Sequence, residues 1–317
     1  MLQWSAAASL PNPRNFLAVA ASATRLYAVG GLQDGTPGFT PYVDEYNPDN
    51  NSWTRLPNMP IGRIAHGAAV VENFLYVLSG FTDPGFNAQD PSCYRINLTT
   101  KAGWERIADL PVGRRDFGVA VAGHNIYVIG GNIDEQRSTM RDVHHFWTDG
   151  GAWFTDNPLN VGRRYPACAN PGWGPWIAAI GGIDNGATNV VEAFDGTNWV
   201  RRALTPPRTF RNGQIAYIAP YWYLLCGVQN GSVTNGVMRL DAMVNRPEGQ
   251  WITDAVSPPN KRSDFGAAVL GGKIYLVGGM NDVNQRVGVV DVATAVPVGA
   301  LYRPSVLHQS MNFSEDE

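Results

Sequence analysis

Short apolar stretches recur along the chain, and each closes on a glycine pair or a near copy of one. They are Leu26–Gly31, Leu75–Gly80, Ile126–Gly131, Ile177–Gly182, Tyr223–Gly227 and Ile274–Gly279, with closing glycines 49, 51, 51, 45 and 52 residues apart. An arginine precedes each glycine pair by 17–19 residues, at Arg14, Arg63, Arg114, Arg163, Arg208 and Arg262. A small, apolar run follows the arginine, as in Gly67–Val71 and Gly118–Val121, and such runs suit strands covered on both faces. After each glycine pair come a loop and a third strand such as Val43–Asn47 or Val190–Asp195. A tryptophan then opens a fourth, at Trp53, Trp104, Trp153, Trp199 and Trp251, and Leu-Pro or a similar break ends it. A strand of four to eight residues with its turn occupies roughly 10–12 residues, so four fill one period.

A period near 50 holding four strands is what a β-propeller blade requires. Six copies predict an all-β, six-bladed propeller of four-stranded antiparallel blades. Glycine suits a strand end that must take positive φ and approach a neighbouring backbone, and tryptophan supplies an apolar plate between sheets. Ser79 and Cys226 replace the first glycine in two copies, so that position accepts a small side chain. The last repeat lacks its tryptophan strand, while Gln3-Trp4-Ser5 stands before Leu10-Pro11 and Arg14 in the order seen elsewhere. Residues near 2–8 are therefore expected to complete the last blade and remove its open edge. Val296–Leu301 competes for that slot. The propeller is expected over 1–303, with 304–317 as an exposed tail.

The order of double glycine, aromatic and spaced tryptophan resembles the kelch repeat family, over nearly the whole chain. The resemblance implies a propeller whose binding face is lined by the residue after each glycine pair and the residues just after each repeat arginine.

Composition narrows the reading. Charged residues make up 16% of the 317, with 35 glycines and 22 prolines; this fits many turns, and 44% apolar residues argue against disorder. A net charge of −3 gives no electrostatic case for nucleic acid. Cys93, Cys168 and Cys226 form no metal or redox motif, and no leader or membrane-spanning apolar run is visible. The expectation is a soluble, non-secreted protein, cytoplasmic or part of an assembled particle, with no cofactor and no membrane insertion.

By position, the candidate partner-binding residues are Phe81, Arg115, Asp116, Asn132, Arg164, Tyr165, Phe210, Asp264 and Met280. Such a mixed apolar and charged rim suits a protein segment or a glycan. Asp116-Phe117-Gly118 and Asp264-Phe265-Gly266 repeat one tripeptide, on blades opposite each other in a sixfold ring. Facing carboxylates would serve acid–base chemistry on a sugar at roughly 5–10 Å, and a propeller channel is expected to hold them wider. Three residues past the glycines stand Asp34, Asp83, Asp134, Asn185, Asn230 and Asp282, and Asx side chains there ordinarily fold back on their own turns. Adjacent His144 and His145 point to opposite faces of a strand and cannot share a metal. Kinase, nucleotide-loop and serine-hydrolase motifs are absent.

Two functions follow. The favoured one is a non-catalytic module that presents its rim to a protein or glycan, as a subunit or attachment of a larger assembly such as a viral particle. The other is a sugar-active enzyme, an epimerase or mutarotase of acidic sugars, in which Arg163, Arg164 and Arg115 clamp a carboxylate. Asp116, Asp264 or Tyr165 would then move protons.

Overall fold

The computed structural model describes residues 2–295 apart from 37, 86–88, 134–137, 171–175, 185, 187, 203–204, 242–250 and 254–255. Its main elements are six four-stranded antiparallel sheets. Blade one comprises Ala18–Ala21, Leu26–Val29, Val43–Asn47 and Ser52–Arg55, and blades two to five repeat that order. The innermost strands lie side by side in sequence order, and that of blade six, Gly266–Leu270, returns to lie beside Ala18–Ala21. The ring is closed. No helix among the described residues is long and apolar enough to cross a membrane.

Blade six takes its outer strand from the start of the chain. Leu2–Ala7 pairs with Val290–Ala295, with Leu2 opposite Ala295 and Ala7 opposite Val290. This is the expected closure; the rival segment 296–301 and the 304–317 tail lie outside the described residues. Buried apolar residues form six clusters, each between two adjacent blades, as where Val29 and Val43 meet Leu75 and Val77. Every seam thus has its own core. The tryptophans tie the seams by hydrogen bonds as well as by area. The indole N–H groups of Trp53, Trp104, Trp153 and Trp4 donate to Ala8, Pro57, Ala108 and Val256, each on the exit from the preceding blade's outer strand.

The glycine pairs are fixed by backbone proximity. Gly31 N–H donates to the Arg63 carbonyl, and a Cβ on Gly30 would lie 2.6 Å from that oxygen. Ser79 and Cys226 hold the same left-handed turn, with φ of 49° and 52°, and the Ser79 hydroxyl donates to carbonyl oxygens 2.9 Å away. The repeat arginines are structural. Arg14, Arg63, Arg114, Arg163 and Arg262 are fully buried, and each donates to carbonyls of its own blade. Each also meets a side chain on its blade's third strand or, for Ser92, just before it: Asp44, Ser92, His144, Glu192 or Asp291.

The fifth repeat departs from its sequence assignment. Arg208 is exposed, and the buried slot belongs to Phe210, whose carbonyl accepts from Gly182 N–H as the arginine carbonyls do in other blades. Phe210 stands 17 residues before Gly227, the commoner spacing, and is fully buried. Its place among partner-binding residues is corrected accordingly.

Candidate functional site

Two residues past the arginine slot stand Phe16, Ala65, Asp116, Tyr165, Asn212 and Asp264, all with φ between +51° and +57°. A left-handed backbone costs a non-glycine residue about 1–2 kcal/mol, so six in register need a common cause. The cause is a belt of hydrogen bonds around the axis. The amide N–H groups of Phe16, Ala65, Asp116, Tyr165 and Asp264 donate to the carbonyls of Asp264, Phe16, Ala65, Asp116 and Asn212, at 2.6–3.2 Å. Each link joins one blade to the next, so the turn that strains the residue also stitches the ring.

The residue just before each of these pairs with the residue after the glycine pair: Asn15 with Leu32, Ile64 with Phe81, Arg115 with Asn132, Arg164 with Ile183, Arg211 with Val228, Ser263 with Met280. The sixfold register brings both sets of rim positions to one face. Seven of them, from blades one to five, line a bowl of about 410 Å³ with an uneven wall. Leu32, Ile64, Phe81 and Ile183 are apolar, whereas Arg115, Arg164 and Arg211 come from three consecutive blades. Phe16, Ala65, Asp116 and Tyr165 border both this bowl and a smaller neck of about 100 Å³ further down the axis, which Asn212, Gln214 and Asp264 also line. Leu17, His66, Phe117, Pro166 and Gln214 border both the neck and a third space of about 170 Å³ between the innermost strands.

Electrostatics differ between the levels. Arg115 donates to Asn132 Oδ1 at 2.7 Å, lies 3.4 Å from Asp116 Oδ2 and covers the Phe81 ring at 4.2 Å. Arg164 lies 5.7 Å from the centre of the Tyr165 ring. Burial lifts the Asp116 carboxyl to about 7; the Asp264 charge adds to the rise, and Arg115, a hydrogen bond from Tyr165 and Arg164 oppose it. Burial raises Asp264 as well, against hydrogen bonds from Asn212 and Ser263 and the charge of Arg211. Burial, with Arg63 and Arg14 nearby, pushes the His66 imidazole down to about 3 and keeps it neutral. The three thiols are raised to about 12 by burial and are poor nucleophiles at neutral pH. Among the described residues, no group of three or more His, Cys, Asp or Glu is placed to hold a metal ion.

The Kelch motif model matches residues 13–60 and 261–292, the first repeat and the one that closes the ring. Kelch motifs thus stand at both ends of the repeat array, and the chain is similar to kelch-repeat proteins. It is 24% identical over 244 residues to the Kelch repeat and BTB domain-containing protein 1 of camelpox virus, covering 76% of this chain and 42% of that one. It is 28% identical over 180 residues to the Kelch-like protein terF of Aspergillus terreus, 53% of this chain and 39% of that one. With the Kelch-like protein 41 of Rattus norvegicus it shares 30% over 146 residues, 41% and 22% of the two chains. The chain thus spans less than half the length of these curated relatives.

In this propeller the candidate residues separate by level. Phe81, Arg115, Asp116, Arg164 and Tyr165 line the bowl together. Asp264 lies in the neck, where its charge reaches Asp116; the two carboxylates share one small space instead of facing each other across a wide channel. Asn132 is buried and holds Arg115 in place. Met280 is half-buried, pairs through its backbone with Ser263 and Arg286, and does not line the bowl. Arg211 and Asn212 escaped the sequence reading because the fifth repeat was set two residues early; the spacing of 17 from Gly227 is the signal that finds them. The Asx positions take several roles. Asp83 caps its own turn, Asn230 accepts from Thr209, and Asp34 and Asp282 pair with Arg286 and Lys261; Asp134 and Asn185 lie outside the described residues.

Proposed function

We propose that this propeller is a protein-interaction module whose bowl takes an acidic segment that also carries an apolar side chain. The observation that supports it is the uneven wall: Arg115, Arg164 and Arg211 on three successive blades, with Leu32, Ile64 and Phe81 on the two blades before them. Guanidinium groups favour carboxylates by charge and by forked geometry, and the apolar side adds burial without direction. The names of the relatives, Kelch-like and kelch-repeat proteins, agree with an interaction role and do not specify the partner. Fluorescence anisotropy with labelled acidic–apolar peptides tests the reading. Binding should fall about tenfold in Arg164→Ala or Arg211→Ala, as expected for loss of a charge pair at an interface, and weaken with added salt. Equal binding of peptides with Glu replaced by Gln would remove the acidic part of the proposal; absence of peptide binding would remove all of it.

One observation favours a second reading, a sugar-active enzyme. A carboxyl near pKa 7 beside a tyrosine hydroxyl has the properties of a general acid–base group. Exchange NMR on acidic sugars should show catalysed anomer interconversion that is lost in Asp116→Asn. No acceleration over buffer would reject it.

A further inference from the structure

We propose that the axial neck binds a primary ammonium group, entering from the bowl as a lysine side chain of the docked segment. The lysine rests on the bowl reading above; the ammonium site does not.

The neck is rich in acceptors that other parts of the fold leave unmatched. Asp44, Glu192 and Asp291 are buried carboxylates, and each meets a buried arginine. Asp264 differs. It accepts hydrogen bonds from Asn212 Nδ2 and Ser263 Oγ, both neutral, and among the described residues it has no cation within ion-pair distance. Asn212 Oδ1, on the same side chain that donates to Asp264, is buried and receives no hydrogen bond. Asp116 lines the same neck, where it accepts from Tyr165 and forms a longer ion pair with Arg115 at 3.4 Å. A carboxylate with only neutral partners, an orphaned amide oxygen and a second carboxylate call for three donors and a positive charge. A primary ammonium group supplies both. Phe16, Leu17 and Phe265 give the same neck an apolar wall for a methylene stem, and about 100 Å³ accommodates an ammonium with its last methylenes.

The charges around the neck decide when this works. Arg115, Arg164 and Arg211 stand one level up in the bowl and oppose a cation, while neutral His66 adds no charge. Ammonium binding therefore needs both carboxylates ionised. Since the Asp116 carboxyl is lifted to about 7, affinity should rise as pH goes from 6 to 8.

Saturation-transfer NMR on the full chain with n-butylammonium chloride tests the neck alone, with n-butanol and tetramethylammonium chloride as neutral and donor-free controls. The expected result is saturable binding of butylammonium only, stronger at pH 8 than at pH 6 and weakened at least tenfold in Asp264→Asn. Asp116→Asn provides the second variant should Asp264→Asn fail to fold, and circular dichroism checks both. Equal response to tetramethylammonium, survival of binding in the folded variants, or no butylammonium signal at either pH would overturn the site and leave the neck to water. Acidic peptides without lysine report on the bowl separately. If they bind while butylammonium does not, the neck proposal fails and the bowl reading stands; the reverse result removes the lysine but keeps the ammonium site.

Discussion

Asp116 joins two constraints in one residue, a left-handed backbone that links blades and a carboxyl that burial holds near pKa 7. An ordinary aspartate ionises near 3.8, so the native state keeps a proton that the unfolded chain has released between about pH 4 and 7. The stabilising contribution is complete below pH 4 and is lost as pH rises through 7. Asp116→Asn keeps the shape and an acceptor for Tyr165 but cannot ionise. Its stability relative to the native chain should rise across that window by on the order of 4 kcal/mol. Urea unfolding at several pH values measures this, and a constant difference between the two proteins would show that the carboxyl ionises normally in the fold. At this scale the rim was only partly legible. Charge and aromatic type mark Arg115, Asp116 and Tyr165, but nothing in the letters Phe16 or Ala65 announces a positive φ. The belt becomes visible only when neighbouring blades supply the carbonyls.

The buried arginine and its third-strand partner form the repeating device of the blade, and its variations predict stability. Arg14, Arg163 and Arg262 meet carboxylates, whereas Arg114 meets His144 Nδ1 at 3.0 Å and burial lowers its own pKa to about 10. Burial and the Arg114 charge push His144 down to about 4, so its ring stays neutral and accepts through Nδ1. The unfolded chain takes up that proton near pH 6.5, and stability from this group is lost as pH falls from 6.5 towards 4. His144→Asp reproduces the geometry of Asp44, which also stands 30 residues after its arginine. It should stabilise the chain by about 1–3 kcal/mol at pH 7.5, because a buried cation gains its counter-charge. Chemical unfolding checks the sign, and a less stable variant would mean that the carbonyls already satisfy Arg114. The same device explains where sequence reading went wrong. Blade five exchanges the pair: Phe210 fills the arginine slot, and Arg239, 29 residues later, occupies the partner's position with its guanidinium 4.9 Å from the Tyr221 ring. Exposed Arg208 mimics the repeat arginine two residues before the slot and so hides Arg211 and Asn212 in the sequence. Strand order, glycine turns and tryptophan strands were legible because each depends on local spacing. The arginine's role depends on a partner about 30 residues away, and a swapped pair breaks the pattern at both ends.

For the molecule as a whole, stability and function meet at the closure of the ring. Six seams share the core, and two of them depend on residues from the start of the chain. Leu2 packs with Leu276 and Ala293, while Leu10 packs with Val277 and Val290. Removing residues 1–9 takes away the Leu2–Ala7 pairing, buried Leu2 and the bond from Trp4 to Val256, and it exposes the edge of Val290–Ala295. Burying a leucine is worth about 1.5–3 kcal/mol, and an opened edge invites pairing between molecules. The truncated chain should lose several kcal/mol in denaturant unfolding and self-associate in sedimentation. The belt carries the damage to the bowl, since Phe16 bonds to Asp264 across the closing seam and Ala65 bonds to Phe16 across the next one. Peptide affinity should therefore fall along with stability although none of the deleted residues lines the bowl. A truncated chain with unchanged unfolding and unchanged binding would mean that another segment fills the outer position of blade six. Unchanged binding with lowered stability would separate the rim from closure and assign the belt to architecture alone.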